Sequence, residues 1–188
     1  MLTLPNLVTL SRPLLTLTFV WLVYDQQRTT DSGCLSLMVI YALIGASDIV
    51  DGWLARLLDQ TSSLGRFLDH LCDITFILTA LLLYVTLGRA PWWLPACIAW
   101  AFLMYVVDSW RRTAVQTRHT LLPTRLGHWG GILYFLTVGM ITVDACYANA
   151  MTGMMIHRGW FTAVSVLAFI SGCQRLLALL RSRCLASD

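Results

Sequence analysis

Six long apolar runs, at about residues 7–24, 34–58, 67–87, 92–107, 126–143 and 159–180, alternate with short polar stretches. A helix needs about 20 apolar residues to cross the hydrocarbon core, somewhat fewer where neighbours or local thinning help. The pattern therefore predicts an all-α integral membrane protein with six transmembrane helices. Pro91 and Pro95 fall where the fourth helix begins, a position that tolerates missing N–H donors. Trp92, Trp93, Trp110, Trp129 and Trp160 lie near the ends of runs, as an interfacial aromatic belt would place them. With no internal repeat, low-complexity tract or long linker, residues 1–188 read as a single membrane domain.

Composition agrees. Of 188 residues, 57% are hydrophobic and only 12% charged, and the mean hydropathy is +0.69. A soluble domain carries about 25% charged residues, so too little polar surface is available to cover one compact soluble core. A disordered chain, a secreted disulfide scaffold and a nucleic-acid-binding domain are excluded on the same grounds. Every one of the 13 basic residues is Arg and every one of the 10 acidic residues is Asp, so lysine chemistry such as a Schiff base is impossible. The six cysteines (Cys34, Cys72, Cys97, Cys146, Cys173 and Cys184) are far apart and form no C-x-x-C. They read as buried small hydrophobes, with neither a disulfide nor a zinc site expected. The N-terminus lacks the basic region of a signal peptide, and Arg12-Pro13 interrupts its apolar run.

Six spans put both termini on one side. That side receives Arg12, Arg56, Arg66, Arg111, Arg112, Arg118, Arg125, Arg175, Arg181 and Arg183, while the other receives Arg28, Arg89 and Arg158. The bias makes both termini cytoplasmic.

Four acids break the apolar pattern at the cytoplasmic ends of spans two and three: Asp48, Asp51, Asp69 and Asp73. Each charge in a membrane helix costs roughly 2.5–3.5 kcal/mol on insertion scales. On a helix, Asp48, Asp51, Gly52 and Ala55 share one stripe, and Gly65, Asp69 and Asp73 follow at i, i+4 and i+8 on another. Two antiparallel helices thus turn four carboxylates towards each other. Their mutual repulsion in a low dielectric is relieved most simply by divalent cations. All-oxygen ligation selects Mg²⁺ or Mn²⁺, with Ca²⁺ admitted as a structural occupant. Four carboxylates suffice for an ion pair of the kind used in phosphoryl displacement. Gly52 and Ala55 leave room for a ligand against the backbone, and Arg56 can neutralise its phosphates. The plainer alternative is a set of interhelical polar contacts without chemistry.

The segment from Asp48 to Asp73 resembles the signature of the CDP-alcohol phosphotransferases, D-x2-D-G-x2-A-R-x8-G-x3-D-x3-D, at Asp48, Asp51, Gly52, Ala55, Arg56, Gly65, Asp69 and Asp73. The opening Pro5-Asn6, Thr9 and Arg12 are similar to the P-N-x-x-T-x-x-R start of bacterial members. The resemblance implies attack of an alcohol hydroxyl on a CDP-linked donor, usually CDP-diacylglycerol, with CMP leaving. It implies two divalent ions on Asp48, Asp51, Asp69 and Asp73, with Asp73 as general base. Asp51, Gly52, Ala55, Arg56, Gly65 and Asp69 are implied as the CDP site. The site would face the cytoplasm at the interface of a bacterial-type inner membrane. Membrane lipids are the remaining expected partners, with no nucleic acid. A homodimer is an option that apolar outer faces on spans three and four would allow.

The acceptor is harder to read. Phosphatidylglycerophosphate and cardiolipin synthases usually carry D-P-x-x-D-K at the third and fourth Asp, where this chain has His70 and Ile74. Their P-S-x-x-G-K-x-x-T stands here as Pro123-Thr124-Arg125-Leu126-Gly127-His128-Trp129-Gly130-Gly131. Leu64, Gly65, Asp69, His70, Cys72 and Asp73 are similar to the L-G-x-x-x-D-H-x-C-D stretch of choline and ethanolamine phosphotransferases, which implies His70 as a second acid–base group. The alternative is a histidine one step off the active stripe. Arg12, Arg112, Arg125 and His128 are candidates for a positive acceptor pocket, against the alternative of ordinary charge facing anionic headgroups. Asp108 is a candidate partner for Arg12 or simply ends span four, and no role is expected for Asp144 and His157 on the far side. The leading expectation is a phosphatidyltransferase with a glycerol 3-phosphate type acceptor. The competing expectations are aminoalcohol phosphotransfer to diacylglycerol and a non-catalytic membrane protein.

Overall fold

Each apolar run becomes a helix. The computed structural model describes residues 4–26, 33–57, 63–115, 125–147, 155 and 157–184; within its helices the side chains of 4–11, 26, 51–57, 63–68, 109–115, 125–128 and 181–184 lie outside the description. The helices are α1 (Leu4–Gln26), α2 (Gly33–Leu57), α3 (Ser63–Thr86), α4 (Trp93–Val115), α5 (Arg125–Tyr147) and α6 (Arg158–Cys184). Among the described residues four are long and apolar enough to cross a membrane, within α2, α3, α5 and α6, and α4 carries a shorter apolar stretch. These features are those of an all-helical integral membrane protein. Large apolar side chains such as Leu17, Trp21, Leu35, Leu43 and Phe169 point outwards and stay exposed, as a hydrocarbon solvent permits.

The helix ends follow local chemistry. Gly88 closes α3 at φ 67°, a left-handed conformation that glycine adopts without steric cost, and the Arg89 N–H returns to the Tyr84 carbonyl at 2.8 Å. Pro13 lies inside α1 and removes one backbone donor beside Arg12.

Packing is organised by two helix pairs, α4 with α6 and α1 with α2, which α3 and α5 bridge. Phe19, Phe76 and Tyr84 form an edge-to-face cluster at the α1–α3 contact, with Phe19 and Phe76 centroids 5.3 Å apart. Tyr41 stacks on Phe135 at 4.5 Å, and its hydroxyl donates to the Phe135 carbonyl at 2.8 Å. A Cβ at Gly139 would stand 2.5 Å from that hydroxyl, so α2 and α5 approach this closely only over a residue without a side chain. A second buried polar contact joins Tyr84 to Thr142 at 2.9 Å, tying α3 to α5.

One expectation fails. Cys34 and Cys146 are joined by a disulfide, with Cα atoms 5.6 Å apart across 112 residues of sequence. Cys34 is at the first turn of α2 and Cys146 at the last turn of α5, and the fold brings those two ends together. Spacing along the chain carries no sign of that meeting. Among the described side chains Cys72, Cys97 and Cys173 are free, and that of Cys184 lies outside the description.

Candidate active site

At the opposite end of α2 three helices converge on charge. Asp48 is carried by α2, and Asp69 and Asp73, one helical turn apart, by α3. One carboxylate oxygen from each lies within 4.8 Å of the others. Arg12 reaches them from α1. Its Nη1 is 2.5 Å from Asp73 Oδ1 and 2.7 Å from Asp69 Oδ1, and its Nη2 is 3.0 Å from Asp48 Oδ1. Nη1 also lies 3.5 Å from the Asp69 carbonyl.

The layering is informative. The Arg12 side chain is 1% exposed, whereas those of Asp48, Asp69 and Asp73 are 49%, 35% and 32% exposed. The guanidinium forms the floor and the carboxylates open outwards. A buried arginine is tolerated only when paired and hydrogen-bonded, and the planar fork of Arg12 meets that need on two helices at once.

The donor set fits a divalent cation. Its atoms are hard carboxylate oxygens, and two oxygens on opposite sides of one Mg²⁺ stand about 4.2 Å apart, a separation that the 4.8 Å limit on this cluster admits. Asp69 Oδ1 is buried and makes no hydrogen bond, although Arg12 Nη1 is near enough to attract it. Such an oxygen retains a lone pair for an ion.

Other expected residues divide into two groups. Asp51, Gly52, Ala55 and Arg56 lie on α2, Gly65 on α3, Arg112 on α4, and Arg125 and His128 on α5, but their side chains are outside the described ones. His70 is described and exposed; its ring faces α4, 5.1 Å from Tyr105 and 6.5 Å from Phe102. Asp108 pairs with Arg175 of α6 at 3.5 Å, and that guanidinium lies over the Tyr105 ring at 4.9 Å. The engagement of Arg12 with three signature carboxylates was missed by sequence reasoning. A basic residue within an apolar run was the available signal, but its partners lie 36 to 61 positions away.

The family profile described as CDP-alcohol phosphatidyltransferase matches residues 2–176. The chain belongs to that family. The family is one of transferases of phospholipid biosynthesis, and the resemblance read from the Asp48–Asp73 signature is borne out. The chain is 33% identical to the cardiolipin synthase (CMP-forming) of Streptomyces coelicolor over 164 residues, 87% of this chain and 71% of the relative. It is 36% identical over 95 residues to the CDP-diacylglycerol–glycerol-3-phosphate 3-phosphatidyltransferase of Pseudomonas fluorescens, covering 50% of this chain and 47% of the relative. The enzyme of the same name from Aquifex aeolicus is 32% identical over 85 residues, 45% and 44% of the two chains. The last two matches thus span less than half of those relatives.

Proposed function

We propose that the chain transfers the phosphatidyl group of CDP-diacylglycerol to the hydroxyl of an acceptor bearing a glycerol phosphate, and releases CMP. The acceptor is glycerol 3-phosphate or its lipid-linked form, phosphatidylglycerol. The observation that carries this reading is the meeting of Asp48, Asp69 and Asp73 within 4.8 Å, in the order and spacing of the family signature. The names of the relatives support the CDP-diacylglycerol donor and the glycerol-based acceptor.

In this reading Asp48, Asp51, Asp69 and Asp73 would hold two divalent cations, Mg²⁺ or Mn²⁺. Bound there, the ions supply neutralisation of charge on the phosphoryl oxygens. Asp73 takes the proton from the acceptor hydroxyl as that oxygen attacks the phosphatidyl phosphorus. The bond from that phosphorus to the oxygen of CMP breaks, and CMP leaves with the electron pair. Asp51, Gly52, Ala55, Arg56, Gly65 and Asp69 bind the CDP moiety, and Arg56 steadies the diphosphate. Arg112, Arg125 and His128, all near the same ends of α4 and α5, are assigned to the acceptor phosphate. Six spans, cytoplasmic termini and a site facing the cytoplasm of a bacterial-type inner membrane complete the proposal, supported by the arginine asymmetry. The chain works as a single domain, and a homodimer through its apolar outer faces belongs to the same picture.

The test is CMP release by purified protein in detergent with Mn²⁺ and CDP-diacylglycerol. Glycerol 3-phosphate, phosphatidylglycerol, inositol, inositol phosphate and serine are offered in turn, with Asp73→Asn as control. Release with either glycerol phosphate acceptor, lost in the control, supports the proposal. Release only with another acceptor, or only from CDP-choline or CDP-ethanolamine with diacylglycerol, overturns it.

A further inference from the structure

The acidic cluster already holds a cation: the guanidinium of Arg12. Its two terminal nitrogens engage Oδ1 of Asp48, Asp69 and Asp73, the same three residues that each bring one carboxylate oxygen close enough to the others to share a metal ion. Arg12 contacts Oδ1 of each carboxylate, so a divalent ion that takes those oxygens displaces it, and an ion on the remaining oxygens still competes with it for the same negative charge. The burial pattern adds direction. Arg12 lies beneath the carboxylates at 1% exposure, while all three remain at least 32% exposed on the outer side, where an ion arrives.

We propose that Arg12 is the resident counter-cation of the metal-free site, holding its carboxylates together until a divalent cation displaces it from them. The assignment rests on the cluster being the cation site of the proposed reaction, and it differs from the acceptor role first expected of Arg12. Three carboxylates drawn from two helices would repel one another without it. A single positive charge is enough to hold them in place, yet it is outcompeted by an ion of twice the charge. Loading draws the guanidinium off Asp48 and Asp73, and the Asp69 carbonyl, 3.5 Å from Nη1, offers it a neutral acceptor nearby. The consequence is a tax on metal affinity. If the Arg12-occupied form holds nine-tenths of the population, the apparent Kd for the ion is raised about tenfold.

The experiment is Mn²⁺ binding to chelator-stripped full-length protein in detergent, read from the electron paramagnetic resonance signal of free Mn²⁺. Wild type is compared with Arg12→Gln and Arg12→Lys. Arg12→Gln is expected to bind Mn²⁺ about tenfold more tightly. Its stripped form should melt below stripped wild type and gain more from added Mn²⁺. Arg12→Lys, a single point charge without the fork, should fall between. Equal or weaker binding by Arg12→Gln overturns the proposal. Binding by neither Arg12→Gln nor wild type overturns the cation-site reading itself, which separates the two failures. Should Arg12→Gln not survive purification, wild type decides. Phenylglyoxal modification of Arg12, followed by peptide mass spectrometry, rises on adding Mn²⁺ if the guanidinium is displaced, and constancy overturns the proposal.

Discussion

The two ends of the bundle solve opposite problems. At one end, Asp48, Asp69 and Asp73 converge and are held by hydrogen bonds and charge to Arg12. At the other, Cys34 and Cys146 are covalently joined, Asp144 and His157 meet at 2.6 Å, and Arg89 donates to the Asp144 carbonyl at 3.2 Å. The second set fastens α2, α5 and the start of α6 to one another and to the α3–α4 turn. Like charges gathered at a partly exposed face favour binding; polar contacts between unlike groups and a covalent bridge favour holding. The acidic end is therefore kept in register by a firm end about 21 Å away along α2, given 14 residues between Cys34 and Asp48.

That division can be broken by mutation, and the effects should be unequal. Asp73→Asn keeps the shape of the side chain and removes the proposed base, so CMP release should fall roughly a thousandfold with helicity unchanged by circular dichroism. Chelation should silence the wild-type enzyme almost as fully and reversibly, with Mn²⁺ restoring CMP release. Cys34→Ser should leave CMP release near wild type while costing about 2–4 kcal/mol of stability. Thermal melting and intact mass under non-reducing conditions would report it. His157→Gln should change least, within about 1 kcal/mol and without loss of activity, because the pair is partly solvated at 20% and 24% exposure. A loss of CMP release in either far-end variant comparable to that of Asp73→Asn would erase the distinction between the ends.

Helix identity was legible because lipid-crossing segments carry their signal in hydropathy alone. The apolar run at 34–58 predicts α2 almost to the residue, Gly33–Leu57. The run at 92–107 stops short of α4, which continues to Val115 through Arg111 and Arg112. Hydropathy reports where a helix leaves the apolar medium, not where its hydrogen bonds end. The carboxylate cluster was legible for a related reason: i, i+4 spacing fixes Asp69 and Asp73 on one face before any partner is known. The meeting of Cys34 with Cys146 and of Arg12 with the acids was not. Both depend on which helices are neighbours, and nothing local to those residues encodes it. His70 shows the same limit, since adjacency to Asp69 in sequence turns its ring towards Tyr105 on another helix.

The position of Arg12 also has a consequence for how the protein is made. Ribosomes deliver about 5–20 residues per second, so α1 emerges seconds ahead of Asp48, 36 positions later, and of Asp73, 61 positions later. An arginine committed alone to the hydrocarbon core would cost roughly 2.5–3.5 kcal/mol. The first helix is therefore better left near the headgroups, or sheltered by the insertion machinery, until the second and third arrive to receive it. If α1 spans the bilayer as proposed, the same arginine that lies under the finished site is expected to delay its settling there until α2 and α3 can receive it.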